Sequence, residues 1–134
     1  MTGQELAERA KQAMARAYCP YSHFAVGAAL LCADGTVYEG CNIENAAYSA
    51  TVCAERTAFF GAVSQGKRDF SAIAICGGRD GVIRDFCPPC GVCRQVMREF
   101  CRDNFEIWMP GPCNSLKKTT LGQLLPQSFG PEQL

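Results

Sequence analysis

The chain has 134 residues, 48% of them hydrophobic and 19% charged, and its 13 Lys plus Arg balance 13 Asp plus Glu for a formal net charge of zero. One domain over 1–134 with a real core fits this length, and the light surface charge leaves apolar area that subunit contacts can bury. The basic excess that meets a polyanion is missing, which argues against nucleic acid and for a small neutral ligand.

Thr2-Gly3-Gln4-Glu5 predicts a capping box, followed by Leu6, Ala10, Ala13, Met14 and Ala17 at helical spacing in a helix that stops before Pro20. Ala25 to Cys32 reads as a buried strand, Asp34-Gly35 as a hairpin turn, and Thr36 to Cys41 as the antiparallel return. A second helix opens near Cys53 with Ala54, Ala58, Gly61 and Ala62 on one small-residue face. Phe70 to Cys76 is a strand bounded by Gly77-Gly78, and Cys90 opens a helix carrying Cys93, Val96, Met97 and Phe100. Phe105 to Met109 forms the next strand, Ser115 to Thr119 a short one, and Thr120-Leu121-Gly122-Gln123 caps a final helix that Pro126 ends. The pattern predicts an α/β fold: a single mixed β-sheet of about five strands flanked by helices on both faces.

Ten cysteines in so short a chain invite a disulfide reading. The N-terminus has no apolar signal segment and no apolar run approaches a membrane span, so a reduced, cytoplasmic protein is expected. Three of the cysteines carry chemistry: Cys53 in Cys53-Ala54-Glu55, and Cys90 and Cys93 in Pro89-Cys90-Gly91-Val92-Cys93. Cys90 and Cys93 lie on one face of a helical turn and can reach one ion. Cys53 would join them from the second helix. Three thiolates leave the fourth corner of a tetrahedral zinc open for water, as a catalytic site requires. Both segments are expected to follow a strand and open a helix, where free N–H groups favour thiolate over thiol. Glu55 is placed to take a proton from the water, and Arg56 to hydrogen-bond the sulfurs and withdraw charge from them.

A lone C-x-x-C also serves redox sites and structural zinc. Cys87, three residues before Cys90, is the rival fourth ligand, although Pro88-Pro89 argues against a helical pair. A redox reading leaves Cys53-Ala54-Glu55 unexplained. The single histidine, His23, is not needed as a ligand. The other cysteines (Cys19, Cys32, Cys41, Cys76, Cys87, Cys101, Cys113) read as small buried hydrophobes or surface thiols.

A thiolate two residues before a glutamate, then a distant Pro-Cys-x-x-Cys, is the layout of the zinc-dependent deaminases of nucleobases. From about Ala17 to Pro131 the chain resembles the small, three-cysteine cytidine deaminases. The resemblance rests on Cys19-Pro20-Tyr21-Ser22 with Phe24 and Val26-Gly27-Ala28-Ala29, on Gly40-Cys41-Asn42-Ile43-Glu44-Asn45-Ala46, and on Cys53-Ala54-Glu55-Arg56-Thr57-Ala58. It extends through Pro89-Cys90-Gly91-Val92-Cys93-Arg94-Gln95, Leu124-Leu125-Pro126 and Ser128-Phe129-Gly130-Pro131, with Gly77 to Pro89 a variable loop.

The resemblance implies a three-layer sandwich, one Zn2+ per subunit and hydrolytic deamination of cytidine and 2′-deoxycytidine in pyrimidine salvage. It implies that Asn42 and Glu44 bind the ribose hydroxyls, that Phe24 stacks on the pyrimidine and that Ala54 contacts substrate. It also implies that Tyr48 and Phe129 serve a neighbouring subunit's active site in a homotetramer. Rivals are a deaminase of another cytosine-bearing small molecule, a polynucleotide cytosine editor, and a non-catalytic zinc-stabilised module. Neutral charge and a mere Lys117-Lys118 pair weigh against the editor, and Glu55 against the module.

Overall fold

The computed structural model describes residues 1–134. Its elements are α1 (Gly3–Met14), β1 (Phe24–Cys32), β2 (Val37–Cys41), α2 (Ala54–Ser64), β3 (Phe70–Arg79), α3 (Gly91–Phe100), β4 (Glu106–Pro110), β5 (Leu116–Thr120) and α4 (Leu121–Leu124). The five strands form one mixed sheet in the order β2-β1-β3-β4-β5. β1 runs antiparallel to β2 and β3, β3 and β4 are parallel, and β5 returns antiparallel to β4. α1 covers one face and α2 with α3 the other, the three layers expected from the alternation of elements.

The local signals act as their chemistry dictates. The Thr2 hydroxyl accepts from the Glu5 N–H while the Glu5 carboxylate accepts from the Thr2 N–H, closing the capping box of α1. Thr120 and Gln123 repeat that arrangement at α4. Gly35 takes φ 92° in the β1–β2 turn, where Asp34 Oδ1 accepts from the Thr36 N–H.

The two faces of the sheet follow the period of two along each strand. Ala25, Ala29, Ala72, Ala74 and Cys76 point to α1 and meet Leu6, Ala7, Ala10 and Met14. Ala28, Leu30, Ile73, Ile75, Ile107 and Met109 point the other way, into Ala54, Ala58, Phe59, Ala62 and Met97. Phe59 is fully buried there, edge-on to Phe70 at 5.1 Å and stacked near Phe100 at 6.2 Å.

Three expectations change in detail. β3 runs on through Gly77 and Gly78 to Arg79, because those glycines pair with Val26 and Ala25 of β1. A Cβ on Gly77 would lie 3.0 Å from Phe24 and Val26 and 3.1 Å from the Cys87 sulfur, and one on Gly78 would collide with the Val82 carbonyl. The pair admits close neighbours and does not end the strand. Gly61 lies off the packed stripe of α2: Ala54, Ala58 and Ala62 are fully buried, but a Cβ on Gly61 would meet nothing. Finally, neither metal-binding segment follows its strand directly. Residues 42–52 intervene before Cys53, closed by mutual Ile43–Val52 hydrogen bonds and holding a one-turn 3-10 helix, Tyr48–Ala50; residues 80–89 intervene before Cys90.

Candidate active site

Close packing sets where α2 begins. A Cβ on Gly40 of β2 would lie 2.4 Å from the Ala54 carbonyl oxygen and 2.6 Å from the Ala58 nitrogen, so only glycine lets the first turn of α2 lie directly on the strand. Cys53 is the N-cap of α2 and Cys90 the N-cap of α3. Neither helix start has a side-chain cap, so its first N–H groups are left for the sulfurs or for a ligand. Arg94 fixes the approach to Cys90: its Nε donates to the Pro89 carbonyl at 2.7 Å and its Nη1 to the Leu124 carbonyl at 2.8 Å.

The helix starts bring the Cys53, Cys90 and Cys93 sulfurs within 4.8 Å of one another, with Cys53 and Cys90 at 3.8 Å. Cys87 is outside this group. Its sulfur lies against Gly77, 3.1 Å from where a Cβ there would stand, and burial pushes its thiol up to about 12. The remaining position of a tetrahedral ion is therefore open to water or substrate.

The electrostatics suit a cation. A hydrogen bond from the Cys93 thiol, then those from Arg56 and Cys90, draw Cys53 down to about 5 against the cost of burial. Cys93 keeps its proton through the same bond to Cys53, reinforced by burial. The cluster thus retains thiol protons that a divalent cation would displace to give three thiolates. Arg56 Nη2 donates to the Cys53 sulfur at 3.4 Å. Arg56 Nε is buried without a partner, a donor left facing a sulfur cluster built to carry more negative charge. This donor set fits zinc.

Glu55 lies in the first turn of α2 with 4% of its surface exposed. Burial, aided by the charge on Cys53, pushes its carboxyl up to about 7, where it can both take and return a proton near neutrality. Thiolates, carboxylate and Arg56 are therefore assembled on one helix start and its neighbour.

Phe24, Asn42 and Glu44, expected to meet base and sugar, lie at the start of β1 and just beyond the end of β2. Phe24 begins β1 with 40% of its surface exposed. Asn42 is 9% exposed and clips β1, its Nδ2 donating to the Phe24 carbonyl at 2.8 Å and its Oδ1 accepting from the Val26 N–H at 2.9 Å. Each amide group retains capacity for one further bond. Glu44 Oε1 accepts from the Tyr21 and Ser22 N–H groups at 2.9 and 3.1 Å. The Ser22 hydroxyl bond, then those backbone bonds, holds its carboxyl below the usual range. An open groove of about 380 Å3 lies between Glu44, Ser22, Tyr21, Tyr48 and Thr51.

Ala54 is buried at the first position of α2, where its N–H has no acceptor within the helix. Tyr48 and Phe129 are 77% and 59% exposed. Gln95 and Arg98 on α3 hold the tail around Phe129, through the Phe129 carbonyl at 2.9 Å, the Ser128 hydroxyl at 2.8 Å and a two-pronged Arg98–Glu132 ion pair. Residue types alone do not reveal this bracing by Gln95 and Arg98. His23 is exposed with φ 57° and carries no part of the cluster.

An α/β sandwich with three convergent cysteine sulfurs and a buried carboxyl group beside them defines a metal-dependent hydrolytic centre as a class. A model of the cytidine and deoxycytidylate deaminase zinc-binding region matches residues 1–109. The cytidine deaminase of Sporosarcina psychrophila is 48% identical over 134 residues, covering all of this chain and 96% of that protein. That of Halalkalibacterium halodurans is 46% identical over 134 residues, covering 98% of its own length. The crystal structure of cytidine deaminase from Burkholderia pseudomallei superposes with a TM-score of 0.89 at 45% identity, covering 96% of this chain and 100% of that one. The chain belongs to the cytidine and deoxycytidylate deaminase family.

Proposed function

We propose that this chain is a zinc-dependent enzyme that hydrolyses cytidine and 2′-deoxycytidine to uridine and 2′-deoxyuridine, releasing ammonia. The observation that carries the reading is Glu55, buried in the first turn of the helix that Cys53 caps and pushed by burial up to about 7 beside the sulfur cluster. Cys53, Cys90 and Cys93 would hold one zinc per subunit. When bound, zinc supplies Lewis-acid activation of a water molecule, bringing its proton within reach of a carboxylate base.

Glu55 takes that proton and passes it to ring N3, which makes C4 electrophilic as the water oxygen bonds to it. The same carboxylate then takes the proton left on the added C4 hydroxyl and gives it to the exocyclic amine, so that the C4 carbonyl forms as the C4–N bond breaks to release ammonia. Arg56 tempers the charge that three sulfurs place on the site, keeping the water acidic enough for this exchange. Phe24 offers an aromatic face to the pyrimidine, Asn42 and Glu44 offer acceptors and a donor to the sugar hydroxyls, and the Ala54 N–H is a free donor at the base. A 5′-phosphate near Glu44 would be repelled, so the nucleoside is the preferred substrate.

The active unit is a single-domain homotetramer working in pyrimidine salvage in the reducing cytoplasm, where the thiolates are safe from oxidation. Exposed Tyr48 and Phe129 would reach a neighbouring subunit's site. The apolar groove of Phe60, Val92 and Val96 between α2 and α3 supplies area for that assembly.

Ultraviolet loss of cytidine with matching ammonia release tests the reading, against a panel of 2′-deoxycytidine, cytosine, cytidine 5′-monophosphate and an oligonucleotide. Turnover of both nucleosides, unaffected by salt, with little on the others is expected. Turnover confined to the nucleotide or the polymer would overturn it.

A further inference from the structure

Glu44 is held more firmly than a half-buried carboxylate needs to be. Oε1 already accepts from two backbone N–H groups, those of Tyr21 and Ser22. Oε2 accepts from the Ser22 hydroxyl at 2.5 Å. That hydroxyl has a second partner, accepting from the Phe24 N–H at 3.0 Å. An amide N–H can only donate, so Ser22 must accept there and spend its one proton on Glu44. The direction of both bonds is therefore fixed.

We propose that Ser22 is a positioning residue that couples sugar recognition to base stacking, because one hydroxyl fixes both the Glu44 carboxylate and the backbone that carries Phe24. This rests on the nucleoside reading given above. A carboxylate offers about four lone-pair sites, and three are filled here. The one left is on Oε2, the oxygen that Ser22 holds. Glu44 thus reads a single sugar hydroxyl, and Ser22 orients the oxygen that does so. His23, between Ser22 and Phe24, takes φ 57°, and the Asn42 Nδ2 bond to the Phe24 carbonyl pins the next peptide, on the other side of Phe24. The turn is consequently locked before substrate arrives, and the cost of ordering Glu44 falls in folding rather than in binding.

The test is steady-state kinetics of Ser22→Ala and Ser22→Thr on cytidine, 2′-deoxycytidine and 3′-deoxycytidine, with zinc content measured alongside. Loss of a hydrogen bond to a charged group predicts a KM for cytidine about tenfold higher in Ser22→Ala, with kcat within about twofold of wild type and zinc unchanged. Ser22→Thr keeps the hydroxyl and restores KM. The analogue that lacks the hydroxyl read by Glu44 shows a smaller Ser22→Ala effect than cytidine does. In a Glu44→Ala background, Ser22→Ala raises KM less than in the wild type, leaving only the part that acts through Phe24.

An unchanged KM in Ser22→Ala would overturn the proposal. So would an equal fall in kcat on every substrate that Ser22→Thr does not rescue, or a penalty of full size in the Glu44→Ala background. Should Ser22→Ala not fold, Ser22→Cys, whose thiol is a weak donor, must raise KM in the same direction. A wild type that leaves cytidine untouched sinks the nucleoside reading itself, whereas a working wild type with an indifferent Ser22 sinks this inference alone.

Discussion

The two faces of the sheet are packed by different means and do different work. Against α1 the contacts are small: Ala7 and Ala10 meet Ala25, Ala29, Ala72 and Ala74, and helix and strand nearly touch at Gly27. Against α2 and α3 the filling is aromatic around Phe59, except along the alanine stripe that seats the start of α2 on Gly40. The first face fixes the sheet, and the second aims two helix starts at one point. Stability and chemistry are therefore separable: damage on the α1 side should unfold the protein without altering its reaction, and damage at the helix starts should do the reverse.

The largest effect belongs to the sulfur cluster. Cys53→Ala removes the ligand that joins α2 to α3 and should abolish both zinc retention and turnover, read by metal analysis and cytidine loss. Full zinc occupancy with activity would mean that the three sulfurs do not act together. Gly27→Val is the matching break on the other face. A Cβ there would lie 2.1 Å from the Ala10 carbonyl oxygen and 2.4 Å from the Met14 nitrogen, both backbone atoms that cannot step aside. The denaturation midpoint should fall by an amount equivalent to about 3 kcal/mol, with kcat of the folded fraction unchanged.

The smallest effect sharpens the same contrast. Glu39 on β2 bonds to Arg9 and Arg16 at 2.5 and 2.7 Å, tying α1 and the chain just beyond it to the edge of the sheet. Burial disfavours its charge, but the Arg16 and Arg9 hydrogen bonds outweigh burial and hold its pKa below the ordinary 4.5. Its contribution is complete above that value and is lost as pH falls through the lower folded value. Both arginines are partly in solvent, so Glu39→Gln should cost about 1 kcal/mol or less near neutrality. It should also flatten the acid limb of the melting temperature against pH, and an unaltered acid limb would count against the ion pair.

The chemistry of the site is legible in the sequence because zinc ligands and an acid–base carboxylate restrict residue type and spacing together. Cys53, Glu55, Cys90 and Cys93 stand out by residue type and spacing alone. The sheet is legible because its strands are continuous apolar runs and its turns carry Asp34-Gly35 and the two capping boxes. What stays hidden depends on three-dimensional neighbours. Gly77 and Gly78 look like a strand end but serve close contact with Phe24, Val26 and Val82. Gly61 sits in the small-residue series of α2, yet the helix turns it away from the core. Cys87 stands three residues before Cys90, yet its sulfur lies outside the group that Cys53, Cys90 and Cys93 form. Ser22 sits in a motif that marks the family, but its role emerges only with Glu44 and Phe24 on either side of its hydroxyl.

The most direct test of the account is paired zinc content and cytidine turnover for the wild type and Glu55→Gln. A wild type that deaminates cytidine, and a variant that holds the same zinc yet is slower by at least about 10²–10⁴, is the predicted result. A Glu55→Gln protein that keeps its zinc and still turns over cytidine at a comparable rate would contradict the assignment of Glu55 as the proton carrier.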